Sequence, residues 1–229
     1  MKMWAIIKKE VKSYFLSPIA YIFIGLFLFM SSIFFYLDVY VGGVVNFEYM
    51  FYSLSTILTF VIPILTMRMF SEERKNGTEQ ILYTSPRSIT SIVLGKFISA
   101  TIVMVICEIC MLLYLGILMY FGTPHIASAL ITLFGFLLLS MAYIAFGMFA
   151  SSITENQIIA GVITIAGFLI IWFMPGFYSK LSTFSLINVF SNTFPQGMMT
   201  YQAMTLFTSF TILFIILTII VIARRKSVK

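Results

Sequence analysis

Six stretches of this 229-residue sequence are long and apolar enough to cross a lipid bilayer as helices. They cover residues 19–37, 49–67, 97–120, 126–150, 157–174 and 206–222. A bilayer core about 30 Å thick requires roughly 20 apolar residues of helix. The runs are continuous and lack the alternation of apolar and polar residues that marks the strands of a membrane barrel. The sequence therefore predicts an all-α membrane protein with six transmembrane helices.

Nearly all Lys and Arg residues lie in three places outside these runs. Only 10% of the residues are charged, whereas soluble domains carry about 25%. All but one of the 14 Lys and Arg residues lie before the first run, between the second and third, or after the sixth. Because short loops rich in Lys and Arg remain in the cytoplasm, we expect both termini to be cytoplasmic and Lys180, the exception, to be outside. The net charge of +6 thus reflects membrane topology and does not indicate nucleic-acid binding.

Residues 1–18 have a helical pattern of their own and precede the membrane domain, residues 19–229. The apolar positions at helical spacing are Trp4, Ile7, Val11, Tyr14 and Phe15, and the charged positions that fall largely elsewhere are Lys8, Lys9, Glu10 and Lys12. This pattern predicts an amphipathic helix in the plane of the cytoplasmic interface, ending before Pro18. The alternative is an ordinary helical approach to the first span. We expect that span to be retained, since its apolar run is longer than that of a signal peptide.

The cytoplasmic segment 68–96 is charged and has its own turn signals. The second helix is expected to continue through residues 68–75, and Asn76-Gly77 then marks a turn, because both residues tolerate the left-handed conformation. Thr78 is a suitable N-cap for a very short helix, with Glu79 in its first turn. Ser85-Pro86 begins the third span. So short a helix is marginal alone, and its apolar residues Ile81, Leu82 and Tyr83 need a surface to pack on, for which a partner protein is the simplest candidate.

The remaining connections differ in length. Thr154 and Gln157 have the spacing of a capping box, which predicts a tight turn before the fifth span. Residues 175–205 are too long for a turn and too apolar for a flexible loop. Pro195 and Gly197 interrupt them, so we expect two short helical pieces that re-enter the outer leaflet. Broken backbone at that depth is tolerated only beside protein or water, which places this segment against a partner subunit or at the mouth of a pathway.

No catalytic, cofactor-binding or metal-binding residues are predicted. The one Gly-Lys pair, Gly95-Lys96, lacks the remaining residues of a phosphate-binding loop. His125 is the sole histidine, so a hydrolytic triad has no base, and its place after Pro124 indicates a loop residue. Cys107 and Cys110 are expected to be small apolar fillers within the third span. The sequence therefore does not predict an enzyme.

Glu108 is the one charged residue predicted near the middle of a span. Placing an ionised carboxylate there costs roughly 3 kcal/mol or more, so it must face protein or water, or be protonated. On its side of the helix lie Thr101, Met104, Met111, Leu112 and Leu115. The sequence allows two interpretations of Glu108 equally: it lines a cavity, or it is a protonated acid hydrogen-bonded to a neighbouring helix.

The segment "FSEERKNGTEQILYTSPRSITSIVLGKFISA" resembles the cytoplasmic coupling segment of type-2 ABC exporter permeases, closest to the gliding-motility and copper-enzyme-maturation type. The pattern of that type runs E-E-[KR]-x-x-G-T-x-E-x-L-x-x-[ST]-P and then GK. The matching residues are Glu72, Glu73, Arg74, Gly77, Thr78, Ser85, Pro86, Gly95 and Lys96. One acid departs from it, because Glu79 lies one residue early and Gln80 takes the expected place. The N-terminal "KKEVKSYFLSPIAYI" is similar to the elbow helix of that family.

The resemblance implies the permease subunit of an ATP-driven exporter in a plasma membrane, most simply bacterial. Two six-helix permeases, copies or related chains, would form the translocation path, and each would dock a separate ATP-binding subunit that carries ATP and Mg²⁺. The expected docking residues are Glu72, Glu73, Arg74, Gly77, Thr78, Glu79, Ile81, Leu82, Tyr83 and Pro86. The alternatives are a stand-alone secondary transporter or channel that uses Glu108, and a membrane scaffold or immunity protein that does not transport.

Overall fold

The computed structural model describes residues 2–41, 47–79, 88–177 and 183–228. Its helices are, in chain order, α1 Lys2–Leu16, α2 Pro18–Phe35, α3 Phe47–Thr66, α4 Ser71–Lys75, α5 Ile89–Phe121, α6 Ile126–Ile153, α7 Gln157–Phe177, α8 Leu186–Ser191 and α9 Tyr201–Val228. A π-helical turn, Tyr36–Val41, extends α2, and a 3₁₀ turn, Phe194–Gln196, follows α8. Within these ranges the fold is all-α.

Within the described residues, six helical segments are long and apolar enough to span a membrane, which confirms the predicted number. The third, α5, begins at Ile89, before the apolar run that starts at residue 97. The cause is the cap at Ser88, whose hydroxyl accepts a hydrogen bond from the Ser91 N–H at 3.3 Å. The predicted start at Ser85-Pro86 lies outside the described residues.

The helix α6 forms the centre of the bundle and packs against α3, α5, α7 and α9. Its inward residues are small at the points of closest approach. A Cβ atom on Gly147 would collide with the Thr66 side chain of α3, and one on Gly135 would collide with the Phe194 ring. Small residues allow transmembrane backbones to approach closely where lipid supplies no hydrophobic driving force between helices. The glycines of α6 therefore fix where α3 and the 3₁₀ turn can lie.

The N-terminal helix α1 lies against α5. Ile6, Ile7 and Tyr14 are buried there, whereas the Trp4 side chain is 69% exposed. The hydroxyl of Ser99 on α5 donates a hydrogen bond to the Ile7 carbonyl at 3.3 Å. Part of the apolar face predicted for the interface therefore packs on protein. The interfacial position of α1 stays a prediction.

The turn between α6 and α7 differs from the predicted capping box. The Asn156 side chain accepts a hydrogen bond from the Ile158 N–H at 2.9 Å. Thr154 accepts one from the Asn156 N–H at 3.2 Å. Asn156 therefore caps α7, because it lies next to Gln157, the first residue of α7, where an amide oxygen reaches the N–H groups of the first turn. The predicted tight turn is present, but the pairing of Thr154 with Gln157 is wrong.

At the opposite end of the bundle from α1, part of residues 183–200 folds inward. The Thr132 hydroxyl of α6 donates a hydrogen bond to the Phe194 carbonyl at 3.0 Å, and Phe194 is fully buried. Gly197 then turns the chain toward α9 with a φ of 71° in the left-handed region, which favours glycine. The described part of this connection thus contains two short helical pieces, α8 and the 3₁₀ turn. Its entry into the outer leaflet stays a prediction.

Candidate functional site

The candidate site is the end of the bundle where α1, α4, the start of α5, the end of α6 and the end of α9 meet, hereafter the basic end. The chain enters it from α3 through a break at residues 67–70. The predicted uninterrupted helix through 68–75 is therefore wrong, although helix resumes as α4. Both the first helix and the last helix reach this end, as the charge pattern required.

The break between α3 and α4 is held by Ser151 of α6. Its hydroxyl accepts hydrogen bonds from the Phe70 N–H at 3.1 Å and the Ser71 N–H at 3.2 Å. It also donates one to the Met67 carbonyl at 3.0 Å. In a continuous helix those two N–H groups would bond to carbonyls four residues earlier. A side chain from another helix replaces these partners, so the direction of α4 is set by α6.

Arg74 joins α4 to the end of α6. Its guanidinium donates to the Ser152 carbonyl at 2.7 Å and to the Ile153 carbonyl at 3.1 Å. Arg225 of α9 donates to the same Ile153 carbonyl at 2.9 Å. These carbonyls are among the last of α6, which have no helical partners and carry the negative end of the helix dipole. Two arginines distant in sequence therefore cap one helix and tie α4 and α9 to it.

Lys96 of α5 forms an ion-pair cluster with two other elements. Its ammonium lies 2.8 Å from Glu73 Oε1 on α4 and 3.1 Å from Glu10 Oε2 on α1. The Phe70 ring covers it, with the nitrogen 5.3 Å from the ring centroid. The lysine is only 4% exposed. Among the described residues, the second oxygen of Glu73 is buried without a hydrogen-bond partner.

Gly95, next to Lys96, allows α1 to reach this cluster. A Cβ atom at position 95 would lie 2.6 Å from Ile6 Cγ2, closer than atoms can pack. Any side chain there would push α1 away and lengthen the distance between Glu10 and Lys96. The Gly-Lys pair, which cannot form a phosphate-binding loop, thus has a packing role and an ionic role at adjacent positions.

A polar cleft of about 210 Å³ lies between α1 and α4. On one wall, Arg68 and Glu72 form a bidentate pair with distances of 2.5 and 2.9 Å. Tyr14 on the other wall donates to the Leu65 carbonyl at 3.5 Å. Burial, reinforced by the Glu10 carboxylate, raises the pKa of the Tyr14 hydroxyl above its usual value. Tyr14 therefore remains a neutral donor.

The exposed edge of this end is the turn that follows α4. Lys75, Asn76, Gly77 and Thr78 are exposed, and Gly77 has a φ of 69° in the left-handed region. This agrees with the turn predicted at Asn76-Gly77. Glu73 and Arg74, by contrast, face the interior of the chain, and Glu79 lies 3.7 Å from the Arg74 guanidinium. The predicted short helix with Ile81, Leu82, Tyr83 and Pro86 lies outside the described residues.

Glu108 is buried within α5, 8% exposed, and its Oε1 has no hydrogen-bond partner among the described residues. Met104 and Met111 on its side of the helix are fully buried, whereas Leu112 is exposed. The cavity-lining role and the protonated, hydrogen-bonded acid both stay predictions. Cys107 and Cys110 are free thiols in the same helix.

A second, larger cleft of about 590 Å³ lies at the far end between α8 and α9. Polar side chains from both helices line it, among them Asn188, Asn192, Gln202, Thr205 and Ser209. The hydroxyls of Thr205 and Ser209 donate to carbonyls of their own helix. The sequence placed a pathway mouth or a partner subunit at this segment, and that stays a prediction.

Sequence reasoning missed the roles of Ser151, Glu10 and Arg225. Each contacts residues more than 70 positions away, so no local pattern contains the pairing. The one local signal was the Gly95-Lys96 pair, which marks the position of the lysine but does not indicate that Glu10 and Glu73 bind it.

A family model described as ABC-2 family transporter protein matches residues 4–225, nearly the whole chain. A search of curated proteins found no match. The matched range includes α1, the break before α4, Gly95-Lys96 and Arg225, so it covers every element of the basic end. The chain therefore belongs to the ABC-2 transporter family and is a multi-pass membrane permease of an ABC transporter.

Proposed function

We propose that this chain is the permease subunit of an ABC exporter in a bacterial plasma membrane. It pairs with a second permease, either a copy or a homologous chain, to form the translocation path. A separate ATP-binding subunit docks on segment 68–96 and supplies ATP and Mg²⁺. Family membership implies an ATP-binding partner, and the geometry of the basic end supports this place of docking.

The observation that carries the proposal is the way α4 is held. Ser151 fixes its start and Arg74 fixes its side to α6, while Lys75 to Thr78 are exposed beyond it. A force applied to the exposed turn is therefore passed to the centre of the bundle through hydrogen bonds and packed helices.

This geometry refines the expected roles of the docking residues. Glu73 and Arg74 are engaged within the chain, so we assign them to holding the segment in place. The contact with the ATPase subunit then falls to Gly77, Thr78 and the residues that follow, chiefly Ile81, Leu82 and Tyr83. Burial of the last three would contribute about 25 cal/mol per Å² of apolar surface removed from water.

The surfaces of the outer helices support pairing with a second permease. In the most apolar 18-residue stretch of α2 and of α7, only 22% is buried within one chain, compared with 56% in that of α6. Large apolar residues such as Ile158, Val162, Ile170 and Phe173 are exposed on α7. Lipid covers such faces in a monomer, and a second permease would cover part of them in a dimer.

The test is the double substitution Ile81→Asp and Leu82→Asp in the full-length chain, co-expressed with the ABC ATP-binding subunit that copurifies with it. The variant should insert in the membrane like the wild type but fail to capture the ATPase or to stimulate ATP hydrolysis. Ala5→Asp, an exposed position on α1, is the matched control and should retain both. Capture and stimulation that survive the double change would refute docking at this segment. Transport that continues without any ATPase would favour the secondary transporter.

A further inference from the structure

Lys96 is a buried cation with a geometry that the docking role does not by itself require. Three separate elements meet at its ammonium group: α5 supplies the lysine, α1 supplies Glu10, and α4 supplies Glu73. An ammonium carries three N–H donors, so one group can bond both carboxylates at the same time. The two acids are 63 residues apart in sequence and come together only here.

Stability alone does not account for an ionic cluster at this place. Replacing a buried ion pair with apolar residues of similar volume is often neutral or stabilising. The contact of α1 with α5 already has apolar components, Ile6 beside Gly95, and a hydrogen bond between Ser99 and Ile7. The contact that Lys96 adds is different in kind, because it connects α1 to α4, the element next to the exposed turn.

We infer that Lys96 is a positioning residue for coupling: it links α4 to α1, so that a displacement of the docking segment moves α1 together with α5. This inference rests on the proposed function. It adds a second path for the motion, distinct from the path through Ser151 and Arg74 into α6. In this scheme the N-terminal helix is a moving part of the transporter and responds to the state of the ATPase.

The experiment compares three variants of the full chain in complex with the ATP-binding subunit, reconstituted in lipid nanodiscs. Lys96→Met removes the charge and leaves two partly buried acids facing each other. The triple variant K96M/E10Q/E73Q removes all three charges and keeps nearly the same volume. Lys12→Gln, at an exposed position of α1, is the control for a loss of positive charge in this region and should behave like the wild type.

Three properties are measured for each: the thermal midpoint, the stimulation of ATP hydrolysis, and the distance between spin labels at positions 8 and 75, on α1 and α4. We expect the triple variant to recover the wild-type thermal midpoint that K96M loses. We also expect it to lose stimulation by roughly fivefold or more, within the usual range of coupling between sites. The label distance should stay constant in the wild type between the nucleotide-free state and the state trapped with ATP and vanadate, and should change between them in the triple variant.

If the triple variant recovers stability, stimulation and a constant label distance together, Lys96 serves only folding and the inference is wrong. K96R should retain part of the stimulation if the ionic link matters, and should behave like K96M if it does not. Capture of the ATPase separates the two proposals: no capture by the wild-type chain would refute the proposed function, whereas normal capture with unchanged coupling in the triple variant refutes only the role of Lys96.

Discussion

Replacing Ser151 with alanine should release the segment that follows α3. In the wild type the Ser151 hydroxyl satisfies two buried N–H groups, those of Phe70 and Ser71. Alanine removes both acceptor contacts and leaves no space for water, since Ser151 is fully buried. The Met67 carbonyl keeps a donor, because the Ser71 hydroxyl also bonds to it. The substitution therefore removes three hydrogen bonds of the Ser151 hydroxyl and leaves two buried N–H donors unsatisfied.

A buried donor without a partner costs about 1–3 kcal/mol, so the local cost of Ser151→Ala, with two such donors, is about 2–6 kcal/mol. At 1.4 kcal/mol for each factor of ten, this corresponds to a roughly 30- to 20,000-fold larger open population of the break. Hydrogen exchange detects such local opening directly. The measurement is the exchange rate of amides 70–75 by mass spectrometry on the purified chain in nanodiscs, with the core of α6 as internal reference.

The neighbouring residue supplies the control. Ser152 is also fully buried, but its hydroxyl donates only to the Phe149 carbonyl of its own helix. Ser152→Ala should leave exchange at 70–75 nearly unchanged, and Ser151→Thr should retain most of the protection. Equal exchange in the two alanine variants would refute the assignment of Ser151 as the residue that holds the break.

Gly95→Ala should weaken the packing of α1 and lower the thermal midpoint, because the added Cβ collides with Ile6. Gly116→Ala, on the same helix with nothing within 4 Å of the added Cβ, is the control and should leave the thermal midpoint unchanged. Arg74→Gln should lower the free energy of unfolding by about 1–3 kcal/mol, as expected for the loss of charged hydrogen bonds to a helix end. Lys75→Gln should change it little, since Lys75 is exposed, and equal changes for the two variants in chemical denaturation would contradict the role of Arg74. With both native cysteines replaced by serine, Lys75→Cys should react with a membrane-impermeant thiol reagent only after the cells are opened, and labelling of intact cells would overturn the cytoplasmic placement of the docking segment.

The number of spans and the placement of the basic residues at one end follow from the order of residues alone. Each span is decided by the cost of leaving peptide groups or charges in lipid, a quantity that depends on composition over about 20 residues. The turn at Asn76-Gly77 is also local, because it depends on the tolerance of those residues for a left-handed backbone. The Thr154–Gln157 pairing was wrong although it too was local, because two adjacent candidates competed and Asn156 lay nearer to the N–H groups of α7.

Only the tertiary structure decided how the basic end is joined. The break before α4 depends on Ser151, and the burial of Lys96 depends on Glu10 and Glu73, which meet when α1 packs on α5 over Gly95. Hydrogen bonds and ion pairs act over a few ångströms, and they therefore depend on which helices become neighbours. The sequence determined that this chain has six segments long and apolar enough to cross a membrane, with most of its Lys and Arg residues in three places outside them. The packing of the helices determined which of those charges are buried and which are exposed.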